Sequence, residues 1–284
     1  MKFSRSIVFS GIFLAVVPLS ASAFVTTFPL GTFAPVGTEI AGKDGWSISD
    51  PGFDGLWSQV PDGSGSAFPL SFSNTLNSSV CAELGGFKDA PLAASPTSVF
   101  LSHDAAGELR YTSFSIGAFA IAGSTEVYPN RDGFGFALRD SGDNNLISVL
   151  LVPVTGGAGD AYRVAYTVGA GPVVNAADSN GDPMYIYQNG LYSMSMTITP
   201  AGINPTFSAT ISGSSSQTFT GIATGLGSAS VSRFGALWNV DPPIGSVPGD
   251  NGILFDNLSV IPESSTALLA GLASLGLLRR RRVH

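Results

Sequence analysis

Short runs of alternating apolar and polar side chains constrain the fold of this chain more than any other feature. In LYSMSMTIT, residues 191–199, every even-numbered position is apolar, and every odd-numbered position from 193 onward is serine or threonine. A period of two places the apolar side chains on one face of a β-strand and the hydroxyls on the other. Similar runs, bounded by Gly, Pro, Asn and Asp, recur between residues 24 and 260 without any long helical period. This pattern predicts an all-β domain.

Two neighbouring apolar runs predict a hairpin in the middle of the chain. DGFGFALRD (132–140) and LISVLLVPV (146–154) flank the turn DSGDNN (140–145). The second run is apolar on both faces, which favours a position in the middle of a sheet. AYRVAYTVG (161–169) is the expected next neighbour in that sheet.

Other runs extend the series in both directions. TFSATIS (206–212) is expected to pair with 191–199, GWSISDPGFDGLWSQV (45–60) contains two short strands around an Asp-Pro-Gly turn, and 68–72 is a further candidate strand. About a dozen strands follow one another without a low-complexity linker or a fixed repeat. Residues 24–260 therefore predict one domain, a two-sheet antiparallel sandwich of jelly-roll type.

The first 23 residues have the layout of a secretory signal peptide. Lys2 and Arg5 precede an apolar run at 7–17, and Ala21 and Ala23 form a small-x-small cleavage site. A retained membrane helix is the alternative, but an apolar run of this length is too short to span a bilayer. We expect signal peptidase to cleave after Ala23.

The last residues, 261–284, have three parts in a fixed order. A small polar break is followed by an uncharged Leu/Ala/Gly-rich run at 266–278 and then by four arginines. Thirteen helical residues reach only about 20 Å, so the predicted transmembrane helix is short for a bilayer core of about 30 Å. Arginines remain on the side of the membrane where they were made. The predicted motif is Pro262, Glu263 and Ser264, and the predicted membrane stop is Arg279, Arg280, Arg281 and Arg282.

This tail resembles the PEP-CTERM sorting signal of Gram-negative bacteria. The resemblance covers about 25 residues, and the chain departs from it at Ser264, where the family usually has a second proline. It implies an exosortase as the processing enzyme and a transient intermediate in the inner membrane. The expected destination of the exported body is the cell surface or the extracellular matrix.

The order of features in residues 40–260 also resembles the concanavalin A-like (LamG-like) family. The matching stretches are GFGFALRD with the apolar strand after it, YSMSMTIT and ILFDNLSV. Glucanases with this fold carry alternating Glu and Asp residues, and a glycoside hydrolase needs two carboxylates across the scissile bond. The glutamates between 24 and 260 stand apart from other acids in the sequence, and no G-x-S-x-G elbow occurs. We therefore expect no enzyme activity.

Charge and cysteine content limit the partners further. Residues 24–260 contain 7 Lys and Arg against 19 Asp and Glu, an acidic balance that excludes nucleic acid. Cys81 is the one cysteine of the chain, so the domain has no internal disulfide and the thiol is expected in the core. His103 is expected at a strand end on the surface. The tryptophans Trp46, Trp57 and Trp238 are expected in the core.

Two acidic turns are candidate cation loops. Asp178, Asn180 and Asp182 alternate as at the start of a calcium loop, although the later ligands of an EF-hand are missing. A second oxygen-rich turn lies at 140–144. The alternative for both is that Asp and Asn serve turn geometry. Asp256 and Asn257, which interrupt the last strand, are expected to have a structural role.

The sequence thus favours an exported, non-catalytic surface or exopolysaccharide-matrix protein with a structural or adhesive role and no cofactor. The alternative is a calcium-dependent carbohydrate-binding module of lectin type, with extracellular polysaccharide as its partner. A glycoside hydrolase is the third hypothesis, and the missing carboxylate pair counts against it.

Overall fold

The computed structural model of the protein describes part of the chain in sixteen strands. The described residues are 24–26, 28, 32, 38–49, 56–58, 81–85, 98–109, 112–121, 132–154, 161–199, 206–213, 216–222, 231–239 and 252–262. The strands are β1 (Phe24–Thr26), β2 (Trp46–Ile48), β3 (Leu56–Ser58), β4 (Cys81–Gly85), β5 (Val99–Leu109), β6 (Thr112–Ile121), β7 (Gly133–Arg139), β8 (Asn145–Pro153), β9 (Ala161–Val168), β10 (Val174–Asn175), β11 (Tyr185–Tyr187), β12 (Tyr192–Thr199), β13 (Thr206–Ser212), β14 (Ser216–Ile222), β15 (Val231–Asn239) and β16 (Gly252–Pro262).

These strands form two eight-stranded sheets. Sheet A has the order β14-β13-β12-β6-β16-β4-β3, and β1 also pairs with β16. Sheet B has the order β10-β9-β8-β7-β15-β5-β2, and β11 also pairs with β9. Every strand pairing is antiparallel. The predicted all-β, two-sheet antiparallel sandwich is therefore confirmed.

Aromatic side chains fill the space between the sheets. Phe136 of sheet B lies edge-on to Phe119 and Phe255 of sheet A, with ring centroids 5.4 and 6.0 Å apart. At the other end of the sandwich, Tyr166 of sheet B contacts Phe207 and Phe219 of sheet A. Such offset and edge-to-face contacts add to the free energy gained from burying the rings. The predicted core positions of Trp46, Trp238 and Cys81 are confirmed, since all three side chains are buried.

The strand predictions hold best where the pattern is longest. The run at 146–154 lies between two other strands as β8, and its predicted neighbours β7 and β9 pair with it. The run at 206–212 pairs with β12 in the predicted order. The two short strands within 45–60 also form, but β2 belongs to sheet B and β3 to sheet A, so the chain crosses between sheets there. The candidate strand at 68–72 lies outside the described residues.

Strands β6 and β16 change face together at the centre of sheet A. Ile116 and Phe119 both enter the core, as do Phe255 and Leu258, although the members of each pair are three positions apart and would lie on opposite faces of a regular strand. Asn257 has a positive φ of 55°, and the pairing register with β6 is the same before and after it, so the two strands change face at the same level. Its Cβ would lie 2.7 Å from a Cβ at Gly117 on the neighbouring strand, which explains the glycine there. Asn257 thus has a structural role, although β16 runs through residues 256–257 without a break, and the role of Asp256 stays a prediction.

The expectation for His103 was wrong, because this histidine is buried within β5 and is 8% exposed. Its ring stacks on Phe234 and meets the edge of Trp46. Nδ1 lies 2.6 Å from the backbone oxygen of Asp104, and Nε2 lies 2.5 Å from that of Asp44. The short apolar run before the histidine continues into an 11-residue strand, so the residue lies within the strand and not at its end.

The last strand extends beyond the predicted domain boundary at residue 260. Strand β16 continues to Pro262, which lies opposite Thr112 of β6. The first residue of the predicted sorting motif is thus part of sheet A. Glu263, Ser264, the 266–278 run, the four terminal arginines and the signal peptide with Ala21 and Ala23 lie outside the described residues. Their roles stay predictions. Within the described ranges, no helix has the length and apolar character needed to cross a membrane.

Candidate functional site

The three residues of the predicted calcium loop lie together in a turn between β10 and β11. The Asp178 carboxylate accepts hydrogen bonds from the backbone N–H of Asn180 at 2.8 Å and of Asp182 at 3.0 Å, both through Oδ1. Its second oxygen lies 3.4 Å from the Asn180 side-chain nitrogen. The backbone N–H of Asp182, followed by that of Asn180, lowers the pKa of Asp178 below its ordinary value. The bridge between Ala177 and Pro183 closes the loop at its base.

This geometry fits a turn that is closed by its own amides. Both oxygens of Asp178 already accept hydrogen bonds from N–H donors within the loop. A calcium ion would have to share or displace those donors. Within the described part of the chain, no group of three or more His, Cys, Asp or Glu side chains is placed to hold a metal ion. Calcium binding by Asp178, Asn180 and Asp182 remains a prediction.

The second oxygen-rich turn repeats this arrangement. Asp140 accepts hydrogen bonds from the backbone N–H groups of Gly142 and Asn144 and from the Asn144 side chain, and the side-chain bond is the main cause of its lowered pKa. Asp143 forms ion pairs with Arg139 and Arg233, at 3.0 and 3.4 Å. The turn chemistry of aspartate and asparagine therefore accounts for both loops.

Other acids lie inside the protein. Glu83 and Asp256 are 1% and 0% exposed, and both raise the pKa of the Cys81 thiol, although burial is the largest cause of that shift. Asp132 is also buried and accepts a hydrogen bond from Trp238 Nε1 at 2.7 Å. Sequence spacing did not indicate that Glu83 and Asp256 come close, because 172 positions separate them in the chain. Both are sealed from solvent, so this proximity does not form an accessible carboxylate pair.

A tyrosine-lined pocket of about 150 Å³ lies where the edges of the two sheets meet. Strand β11 of sheet B forms one wall, and the ends of β12, β13 and β14 of sheet A form the other. Its volume is below the roughly 300 Å³ at which pockets for drug-sized ligands begin, so it suits a single small ring. The lining residues are Pro183, Tyr185, Ile186, Tyr187, Tyr192, Ile211 and Gln217. We call this the tyrosine pocket.

Tyr192 is held in place in the tyrosine pocket by contacts on several sides. Its ring packs against Phe119, with centroids 5.6 Å apart. It also lies so close to Gly190 and Gly213 that a Cβ at either position would come within 2.5–2.6 Å of ring atoms. The Tyr192 hydroxyl accepts a hydrogen bond from the backbone N–H of Tyr187 at 2.9 Å. The ring is therefore in place before any ligand arrives, which lowers the entropic cost of binding.

The remaining groups of the tyrosine pocket combine apolar rings with uncharged polar atoms. Tyr187 is 46% exposed, and Tyr185 is held from outside by Arg163, whose Nη2 donates to the Tyr185 hydroxyl at 3.3 Å. Gln217, which is partly buried on β14, supplies an amide with two donors and one acceptor oxygen. Aromatic faces beside a few directional polar groups are the usual composition of a small-molecule site.

Sequence reasoning missed this pocket. The available signal was MYIYQNGLY, in which Tyr185 and Tyr187 share one face of a short strand and Tyr192 follows a Gly-containing turn. The tryptophans do not indicate the pocket, because Trp46 and Trp238 are buried and do not line it. The contribution of Gln217 from another sheet has no counterpart in the local sequence.

Comparisons with known proteins give structural matches only. The chain matches no family model and no curated protein. A seed lectin from Lotus tetragonolobus aligns at 11% identity and a TM-score of 0.45, over 84% of this chain and 97% of the lectin. A Bauhinia forficata lectin in complex with GalNAc gives 11% and 0.44, over 85% and 97%. An alginate lyase from Klebsiella pneumoniae gives 12% and 0.41, over 78% and 85%. The function is therefore inferred from the residues of this chain.

Proposed function

We propose that this protein is an exported, non-catalytic surface or matrix protein whose β-sandwich binds carbohydrate in the tyrosine pocket. The observation that carries the proposal is the pocket itself, a preformed space with three tyrosines and one glutamine in its lining. A pyranose ring has an apolar C–H face and a rim of hydroxyls. The face packs on an aromatic ring, and the hydroxyls exchange hydrogen bonds with phenol and amide groups.

The chemistry of the pocket supports binding and not turnover. Its described lining contains no carboxylate, histidine or cysteine side chain. Most glycoside hydrolase families use two carboxyl groups beside the sugar. The acids at Glu83, Asp132 and Asp256 are buried elsewhere in the protein.

The two ends of the chain support the cellular part of the proposal. A signal peptide with Ala21 and Ala23 at its cleavage site would send the sandwich out of the cytoplasm. The PEP-CTERM-like tail would hold it briefly in the inner membrane until an exosortase acts near residues 262–264. The sandwich would then be displayed at the surface or released into exopolysaccharide.

Binding is tested with the purified protein on an array of neutral and acidic glycans, followed by titration of any ligand found. Tyr187→Ala removes an exposed ring of the pocket and should weaken binding about tenfold without changing the fold. Val173→Ala is the matched control, because Val173 is 58% exposed and does not line the pocket. An array without hits, or equal losses in both variants, would refute carbohydrate binding in this pocket.

Export and processing are tested by mass spectrometry of the mature protein from its native host. The expected N-terminus is Phe24, and the expected C-terminus lies near Pro262 without the arginine cluster. A full-length product that retains Met1 in the cytosol would refute the cellular part of the proposal.

A further inference from the structure

Strand β11 has an open edge on the side of the tyrosine pocket. Among the described strands it pairs only with β9, where the Met184 backbone oxygen accepts from the N–H of Val164 at 2.9 Å. The N–H of Tyr187 points the other way and donates to the Tyr192 hydroxyl. Because successive residues of a strand direct their N–H and C=O groups to opposite edges, those of Tyr185 point to the same edge as the N–H of Tyr187.

The backbone of Tyr185 is therefore an unused donor and acceptor at the pocket. Tyr185 lines the pocket together with Tyr187 and Tyr192, which mark the open edge. Within the described part of the chain, the Tyr185 hydroxyl accepts from Arg163, but the backbone N–H and C=O of Tyr185 have no hydrogen-bond partner. A ligand that fills the pocket takes water away from these two groups and has to replace its hydrogen bonds.

The opposite wall and the floor of the pocket supply complementary groups. Gln217 comes from β14 of the other sheet, and its side-chain amide has two N–H donors. Ile186 and Ile211 also line the pocket, but they are only 1% and 3% exposed, so they form an apolar floor. The pocket thus places a backbone acceptor on one wall, an amide donor on the other and an apolar surface between them.

Resting on the proposed carbohydrate function, we propose that the tyrosine pocket binds N-acetylated amino sugars by their acetamido group, with the Tyr185 backbone and the Gln217 side chain as the groups that determine specificity. The N–H and C=O of a planar trans amide point in opposite directions. The acetamido N–H donates to the Tyr185 backbone oxygen, and its carbonyl accepts from Gln217. The methyl group packs on the floor formed by Ile186 and Ile211. A neighbouring ring hydroxyl accepts from the Tyr185 N–H. A plain hydroxyl in place of the acetamido group is too short to bridge the two walls and reach the floor.

The test compares matched sugars on the mature protein by NMR titration. The methyl β-glycosides of glucose and galactose are each titrated beside the methyl β-glycosides of N-acetylglucosamine and N-acetylgalactosamine. Because the acetamido group adds a buried methyl and a hydrogen bond, the N-acetylated member of a binding pair should bind about tenfold more tightly. All four sugars are neutral, so the positive charge of Arg163 beside Tyr185 does not decide the comparison.

Two variants separate the acetamido contact from general damage to the pocket. Gln217→Met keeps a side chain of similar length but removes the amide donor, so the tenfold ratio should fall to about threefold. Tyr187→Ala is the control, because it removes an exposed ring that both sugars contact and should weaken both equally. An unchanged ratio in Gln217→Met, or an equal change of the ratio in both variants, would overturn the role of Gln217.

Amide hydrogen exchange tests the backbone contact in the unmodified protein. At saturating N-acetylated sugar, the N–H of Tyr185 should exchange about fivefold more slowly, because a ring hydroxyl then covers it. The N–H of Val164 is the control, since it already donates to Met184 and should not change. Exchange at Tyr185 that does not respond to a bound sugar would overturn the backbone contact.

The remaining outcomes separate this inference from the function on which it rests. Equal or tighter binding of the glucose and galactose glycosides overturns the preference for the acetamido group but leaves carbohydrate binding intact. If no sugar of either class binds, both the preference and the proposed carbohydrate function are refuted.

Discussion

The buried pair of Trp238 and Asp132 offers a sharp test of what holds the sandwich together. Trp238 is 2% exposed and Asp132 is 0% exposed, and the indole N–H donates to the carboxylate at 2.7 Å. Trp238→Phe keeps an aromatic ring but removes this donor. Loss of one partner of a buried hydrogen bond costs about 1–3 kcal/mol in addition to the loss of packing.

Trp46 supplies a matched control in the same core. It is also 2% exposed, but its Nε1 has no hydrogen-bond partner in the described structure. Trp46→Phe therefore removes a similar volume without breaking such a bond. The free energy of unfolding should fall about 1–3 kcal/mol further for Trp238→Phe than for Trp46→Phe.

The measurement is urea unfolding of both variants followed by far-UV circular dichroism, because the substitutions themselves change tryptophan fluorescence. The two slopes against urea should agree, so that the midpoints can be compared directly. If the two variants lose stability equally within about 0.5 kcal/mol, the Trp238–Asp132 bond contributes no net stability and the reasoning fails.

Three further predictions follow from named contacts. Burial raises the pKa of the Cys81 thiol, so the folded protein keeps this thiol neutral at pH values where the unfolded chain ionises it. The thiol therefore does not lower the free energy of unfolding at neutral pH, but it does so as the pH rises above the range where an unfolded thiol begins to ionise. Urea midpoints between pH 7 and 10 should therefore fall more for the wild type than for Cys81→Val. Gly235→Ala should lower the free energy of unfolding by about 3 kcal/mol, because its Cβ would clash with the backbone oxygen of Leu101 on the next strand. Gly252→Ala, whose nearest contact is 3.3 Å, should cost less than about 1 kcal/mol by the same unfolding assay. The backbone N–H groups of its turn favour the ionised form of Asp178, so this carboxyl should titrate below the ordinary aspartate range in an NMR pH titration. The stabilising effect of the ionised carboxylate should disappear as the pH falls through its pKa. A titration in the ordinary aspartate range would contradict the turn geometry.

The strand pattern of the sequence predicted the class of fold and most of the longer strands. A two-residue period follows from the geometry of a single strand, so the faces of β12 and β13 can be assigned without any partner. The turn residues at 140–145 predicted the hairpin of β7 and β8, because the turn preferences of Asp, Asn and Gly depend on the local sequence alone. The burial of Trp46 and Trp238 also followed from the apolar character of their own segments.

Tertiary structure decided the features that depend on residues far apart in the chain. Local alternation does not specify which sheet a strand joins. Strands β2 and β3, for example, are separated by only seven residues in the chain, yet they lie in different sheets. The burial of His103 depends on Trp46 and Phe234, which reach it from other strands.

The tyrosine pocket shows the same division between local and distant information. Its tyrosines on β11 share a face because of strand periodicity, which the sequence by itself determines. Ile211 on β13 and Gln217 on β14 belong to the other sheet, and only packing of the two sheets brings these groups around one space. A binding site needs groups that converge from several directions, whereas one strand supplies groups in only two, so only the folded sandwich could assemble it.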